Sequence, residues 1–279
     1  MSDPVPPTER RAPRRTPPHG LIAGAVRLSR ARFHDLRAAL GLVVLGGAAL
    51  AACFGVAFAW VAHRVRAGST QAFDEAALRW VAAHQIGWLE AAMLELTFLG
   101  TATVVLTIAG VAALFLALTR QRTAAAVLLW STLGAILLNN VLKSAFDRPR
   151  PTLFEWGTQV RTTSFPSGHA MSAAAIYATV AFLAARLAHR PRVRAAIYAT
   201  SAVLIVLVAA SRVYLGVHYP TDVAAGLLVG FAWAAFCAAA LEAGQQLSAR
   251  RRGDPRSGPA PHPAAQDPAA SMRSKVRSK

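Results

Sequence analysis

The sequence is short of cysteine, short of acid, and nearly free of charge inside its long apolar runs. Its two cysteines, Cys53 and Cys237, each sit within an apolar block, and neither has a partner at metal-ligand spacing. No disulfide is expected from them, and they read as small residues buried in helices. Thirteen Asp and Glu stand against 30 Lys and Arg. Carboxylates this sparse leave too few oxygen ligands for a magnesium site, and the histidine spacing matches no zinc site. The period-two alternation of barrel strands is missing, which argues against a transmembrane barrel.

What the chain has is hydrophobicity in blocks. Hydrophobic residues make up 54% of it, and the mean hydropathy is +0.38. A spanning helix needs about 20 mainly apolar residues. Six segments meet or approach this: Gly41–Ala62, Leu99–Thr119, Ala124–Leu142, Ala170–Leu187, Ala195–Ala210 and Val223–Leu241. The fifth is short but can extend through Ser211 to Gly216. Backbone polar groups have no water to bond in the bilayer core, so these segments must be helices. The expected fold is all-α, a six-transmembrane-helix bundle. Residues 39–245 form the membrane domain. Residues 1–38 and 246–279 are basic tails, disordered and cytoplasmic, with Leu21 to Arg37 able to lie on the membrane as a basic amphipathic helix.

The net charge of +17 would ordinarily suggest a nucleic-acid partner. Here the cations cluster in tails and short loops beside apolar blocks, which suits membrane lipids instead. Arg10, Arg11, Arg14, Arg15, Arg27, Arg30, Arg32 and Arg37 precede the first span. Arg120 and Arg122 follow the second, Arg186, Arg190, Arg192 and Arg194 follow the fourth, and Arg250 to Arg252 follow the sixth. Six spans put all of these on one side, assigned to the cytoplasm by the excess of positive charge. The other side receives loops 63–98, 143–169 and 211–222. The first carries Arg64, Arg66 and Arg79, but also Trp80 and Trp88, as an interfacial helix would.

Three polar clusters fall on that outer side, each at a span boundary. The first runs Lys143-Ser-Ala-Phe-Asp147-Arg148-Pro149-Arg150-Pro151. The second is Pro166-Ser167-Gly168-His169. The third holds Ser211-Arg212, His218 and Asp222. Lys143, Arg148, Arg150 and Arg212 exceed the nearby acids Asp147, Glu155 and Asp222, so a bound anion is the natural complement. Arginine presents planar forks that fit phosphate oxygens, and lysine adds a point charge. Ser167-Gly168 precedes a helix whose N-terminal N–H groups make an anion seat. Imidazole serves as nucleophile, acid or base near neutral pH. A turn into the sixth span could bring Asp222 onto the His218 ring and fix its tautomer.

Each cluster alone has an ordinary reading. A lysine ending a span snorkels, Pro-Ser-Gly makes a turn, and Ser-Arg ends a helix. The force lies in three clusters converging on one side with complementary roles. His63, His84, Glu90 and Glu95 carry no functional weight, and Asn139 and Asn140 read as hydrogen-bonding between helices.

The three clusters resemble the signature of the type-2 phosphatidic acid phosphatase superfamily: Lys, six residues, Arg-Pro; then Pro-Ser-Gly-His; then Ser-Arg, five residues, His, three residues, Asp. Every motif position matches, within a similarity expected over about residues 40–243. The resemblance implies that His218 is the nucleophile, that Asp222 orients it, and that His169 protonates the leaving oxygen and then activates water. It implies that Lys143, Arg150, Ser167, Gly168 and Arg212 bind phosphate oxygens, with Arg148 a weaker candidate, and that neither metal nor cofactor takes part. The expected activity is hydrolysis of a lipid phosphate or diphosphate of the undecaprenyl diphosphate, phosphatidylglycerophosphate or phosphatidic acid type, through a phosphohistidine. The site would face the periplasm or cell exterior from an inner or plasma membrane. Rival readings are a phosphotransferase of the same superfamily, a vanadate-dependent haloperoxidase, whose soluble relatives lack six spans, and a non-catalytic or transporting polytopic protein. Transporters place ionisable groups near the bilayer midplane, and here they sit at span ends.

Overall fold

The computed structural model describes residues 19–152 and 162–253, with side chains over 41–152 and 162–248. Eight helices follow one another, with no strand among the described residues: α1 His19–Arg66, α2 Gln71–Ala83, α3 Gly87–Phe98, α4 Ala102–Leu118, α5 Arg122–Ala145, α6 Gly168–Leu187, α7 Pro191–Tyr214 and α8 Pro220–Gly253. Five are long and apolar enough to cross a membrane. The pair α3 and α4, bent by 47° at the break between them, counts as a sixth when taken as one span. Leu114, Trp130, Leu133, Leu137 and Val206, all more than half exposed, give these helices apolar outer surfaces. In a bilayer such a surface faces lipid and needs no further partner.

The expected spans are present, and most are longer than their apolar cores. Helix α5 gains Arg122 and Lys143 at its two ends, and α7 runs from Pro191 through Arg212 to Tyr214. Charged ends belong at the interface, where long side chains reach water. Helix α1 differs more. Its backbone is one continuous 48-residue helix, where a surface helix over Leu21 to Arg37 was expected apart from the span. Similarly, α8 runs past residue 245 to Gly253. Helical backbone thus extends into parts of both tail segments. Residues 1–18 and 254–279, and Glu155, lie outside the described residues.

Helix α6 is the central post, and it is built for close approach. Ala170, Ala173, Ala174, Ala175, Ala181 and Ala185 are all buried. Opposite them α8 presents Gly226 and Gly230. A Cβ at Gly226 would lie 2.5 Å from the Ser167 carbonyl oxygen, and one at Gly230 2.5 Å from that of Met171. Only glycine permits this, and small residues four apart are a common means of packing helices in lipid. The approach has a consequence for function: it draws the start of α8 against the start of α6, so that Ser167 N donates to Asp222 O at 3.0 Å. Tyr177 on α6 also donates to Leu99 O at 2.6 Å, tying the post to the bend between α3 and α4.

Candidate active site

A cavity of about 370 Å³ opens where α4, α5, α6 and α7 meet, at the end of the bundle that carries the polar loops. Helix α5 turns Ile136, Asn139, Asn140 and Lys143 toward it, positions that share one helical face by their spacing. Helix α6 contributes Gly168, His169 and Ser172 from its first turns, α7 contributes Arg212, and the loops supply Arg150, Thr162 and His218. The three sequence clusters, separated by up to 79 residues of chain, thus share one hollow.

Its charge is one-sided. Among the described residues, Lys143, Arg150 and Arg212 are the charged ones lining it, all cations. Arg212 is buried, its Nη1 donates to Thr97 Oγ1 at 2.7 Å, and its Nε has no hydrogen-bond partner. Lys143 Nζ donates to Thr163 O at 2.6 Å. Arg150 is held by Thr162 O and Val217 O at 2.9 and 2.7 Å. Three cations gathered in a half-buried space repel one another, and an anion relieves that repulsion. Gly168 starts α6 at the cavity wall, so the helix N-terminus adds its partial positive charge.

The histidines occupy different positions in this frame. His218 is buried at 1% exposure, with Nε2 toward Arg150 Nη1 at 3.2 Å. Arginine can only donate, so Nε2 accepts and the proton belongs on Nδ1. On that side lie Ser164 Oγ at 3.4 Å and Asp222 Oδ2 at 3.7 Å. Ser164 donates to Asp222 Oδ2 at 2.5 Å, and Tyr219 N donates to the same oxygen at 3.0 Å. Burial, then the fields of Arg150 and Arg212, hold the His218 pKa at about 4, despite the opposing pull of Asp222. The ring is therefore neutral at ordinary pH, with Nε2 facing Arg150, another residue of the cavity wall. His169 lines the same cavity from α6. It is pressed against Gly100, where a Cβ would come within 3.0 Å of its Cβ and Cδ2.

Of the expected site residues, His218, His169, Lys143, Arg150, Gly168 and Arg212 line the cavity. Asp222 stands behind His218. Ser167 caps α6 beside them, and its Oγ is buried without a partner. Arg148 behaves differently. It points away from the cavity, with its Nη1 on Asp222 Oδ1 at 2.7 Å and its Nη2 on Asp74 Oδ2 at 2.8 Å. Burial opposes its charge, but Asp222 and Asp74 outweigh burial and raise its pKa. Sequence reasoning missed Ser164 and Thr162, whose signal was the polar run Arg161-Thr-Thr-Ser164 just before the Pro-Ser-Gly-His motif. It also missed Gly100, Gln71 and Asp74; Asn139 and Asn140, expected between helices with a supporting role beside the site open to them, line the cavity.

The chain has known relatives. The family model described as the PAP2 superfamily matches residues 124–245, which contain all three motifs. Phosphatidylglycerophosphatase B of Bacillus subtilis (strain 168) is 34% identical over 178 residues, covering 62% of this chain and 85% of the relative. The chain belongs to the PAP2 superfamily. As a PAP2 protein with several apolar crossings, it is a multi-pass membrane phosphatase. A lipid A 1-phosphatase of Rhizobium johnstonii is 35% identical over 117 residues, covering 39% of this chain and 43% of the relative. Among solved structures, that of a transmembrane PAP2 type phosphatidylglycerolphosphate phosphatase from Bacillus subtilis superposes with a TM-score of 0.62. It is 29% identical and covers 71% of this chain and 96% of that one.

Proposed function

We propose that this PAP2 protein hydrolyses a lipid phosphate or diphosphate at the non-cytoplasmic face of the membrane, through a phosphohistidine on His218. One observation carries the reading: both motif histidines line a single cavity whose charged residues, among those described, are all cations. Lys143, Arg150, Arg212 and the N-terminus of α6 would hold the phosphate oxygens, with most of the catalysis coming from charge placed in advance.

In the first step, Nε2 of His218 bonds to phosphorus as the phosphorus–oxygen bond to the leaving group breaks. His169 gives its proton to that oxygen. In the second step, His169 takes a proton from water, the oxygen of that water bonds to phosphorus, and the phosphorus–nitrogen bond breaks. Phosphate leaves and both rings return to their starting states. Asp222 holds the Nδ1 proton side of His218 throughout and stabilises the positive charge that develops there. The cations take the part that a metal plays in other phosphoryl transfers, which supports a metal-independent reaction.

A cavity at the span ends suits a substrate that keeps its tails in the bilayer while its headgroup enters the hollow. Phosphatidylglycerophosphate, lipid A, phosphatidic acid and undecaprenyl diphosphate are the candidate classes, the first two suggested by the names of the relatives. The basic segments that precede α1 and follow α4, α6 and α8 support cytoplasmic tails and a site on the opposite face. The test is phosphate release from a panel of these lipids by the purified protein in detergent, with and without an alcohol acceptor. Release to water from at least one lipid is expected. Activity on none of them, or transfer to the acceptor alone, would reject the reading.

A further inference from the structure

Asp74, on the short helix α2, lies 148 residues before Asp222 and outside every recognised motif, yet it is 0% exposed. Its Oδ1 accepts from Thr221 N at 3.0 Å. Its Oδ2 accepts from Thr221 Oγ1 at 2.6 Å and from Arg148 Nη2 at 2.8 Å. Gln71, one turn earlier, accepts from the same Nη2 at 3.0 Å and donates to Tyr219 Oη at 3.2 Å. The Arg148 guanidinium lies over the Tyr219 ring at 4.2 Å, and its other arm donates to Asp222 Oδ1 at 2.7 Å and to Thr221 Oγ1 at 2.9 Å. One cation therefore bridges two buried carboxylates, one on α2 and one behind the nucleophile.

A buried ionic network of this kind is a poor way simply to attach a helix, since desolvating it costs about as much as it returns. What it does supply is geometry. Asp222 has two oxygens: Arg148 fixes Oδ1, which leaves Oδ2 to Ser164, Tyr219 N and the His218 side. Without Asp74, Arg148 would lose the carboxylate that holds its second arm, and its hold on Oδ1 would loosen. The other face of α2 carries Phe73 and Trp80, 64% and 65% exposed, so the helix offers aromatic groups outward while it braces the site inward.

We infer that Asp74, acting through Arg148 and Thr221, is a positioning residue for the His218–Asp222 pair. The inference rests on the reading of His218 as the nucleophile. It is tested on the full-length protein in detergent, with a short-chain phosphatidic acid as substrate and inorganic phosphate as competitive inhibitor. Asp74→Asn keeps the size of the side chain and removes its charge. Loss of a residue that orients a catalytic group costs about 10- to 100-fold in activity, and that loss is expected in kcat. KM and the phosphate inhibition constant should stay within about twofold, because the phosphate-binding cations are untouched. Thr221→Val, which removes one donor to Asp74, should lose less, in the same parameter. Leu78→Ala, a buried apolar change on the same helix, should lower thermal stability while kcat per folded molecule holds.

A folded Asp74→Asn protein with kcat within twofold of wild type would overturn the inference. So would a loss shared equally by kcat and phosphate affinity, since that marks general disorder of the site. If Asp74→Asn does not fold, Thr221→Val decides by the same split, and unchanged kcat there overturns the inference. Failure of the functional reading itself looks different: the wild-type protein would then release no phosphate from any lipid.

Discussion

Gly100 sits at the bend between α3 and α4, and replacing it with alanine probes how tightly His169 is held. The added Cβ would lie 2.6 Å from Val208 Cγ1 and 3.0 Å from both Cβ and Cδ2 of His169. Ordinary contact begins at 3.4 Å, so Val208 must recede by about 0.8 Å and the imidazole by about 0.4 Å, or the bend must open. Overpacking of this kind costs about 1–3 kcal/mol of stability. A misplacement of about 1 Å in a reacting group can cost about 100-fold in rate. A shift of about half that size points to a loss near tenfold in kcat. KM should change little, since Lys143, Arg150 and Arg212 are not displaced. The assay is phosphate release at saturating short-chain lipid phosphate, with melting in detergent followed alongside. Gly110→Ala is the control: it lies on α4 with nothing within 4 Å of its new methyl, and kcat should be unaltered. Undiminished kcat in a folded Gly100→Ala protein would refute the claim that this packing sets the position of His169.

Other outcomes follow from the same geometry. His218→Ala and His169→Ala should each nearly abolish phosphate release, while His84→Ala, whose Nδ1 meets the Trp80 carbonyl away from the cavity, should not. The proposed reaction needs one ring neutral and the other protonated at the outset, so activity should follow a bell-shaped pH profile, and a flat profile from about pH 5 to 9 would count against the pairing. Stability should fall as pH drops from 6.5 toward 4, because unfolded His218 takes a proton that the folded ring refuses until about 4. The effect is at most about 3 kcal/mol, and melting temperatures at pH 7 and pH 5 should converge in His218→Ala. Turnover should survive prolonged chelation; loss in chelator with recovery in magnesium would reject the metal-free reaction.

How much of this could be read from the sequence depends on where each residue's reason lies. The spans were legible because apolar length is a local property, and Arg212 could be placed because the fifth span extends naturally through it. His169, His218, Lys143 and Arg150 were legible because their spacing within three motifs is itself the signal. Asp74 and Gln71 were not. They lie on a short helix between spans, where an acid and an amide look like ordinary interfacial polarity, and only the fold brings them to Arg148. The same contact takes Arg148 away from the cavity. Gly100 was hidden because a glycine between two apolar stretches shows nothing of the ring that will press against it. The bend falls at residues 99–101, where the expected span Leu99–Thr119 begins, but local hydropathy does not register its 47° change of direction.

The measurement that bears most directly on the central claim is trapping of the covalent intermediate. Rapid quenching of the protein during turnover of a ³²P-labelled lipid phosphate should leave label on the chain that is stable to alkali, labile to acid, and located in the peptide containing His218. His218→Ala should carry none. Label on Ser164 or another hydroxyl, or wild-type turnover that never labels the protein while His218→Ala turns over equally well, would contradict the account.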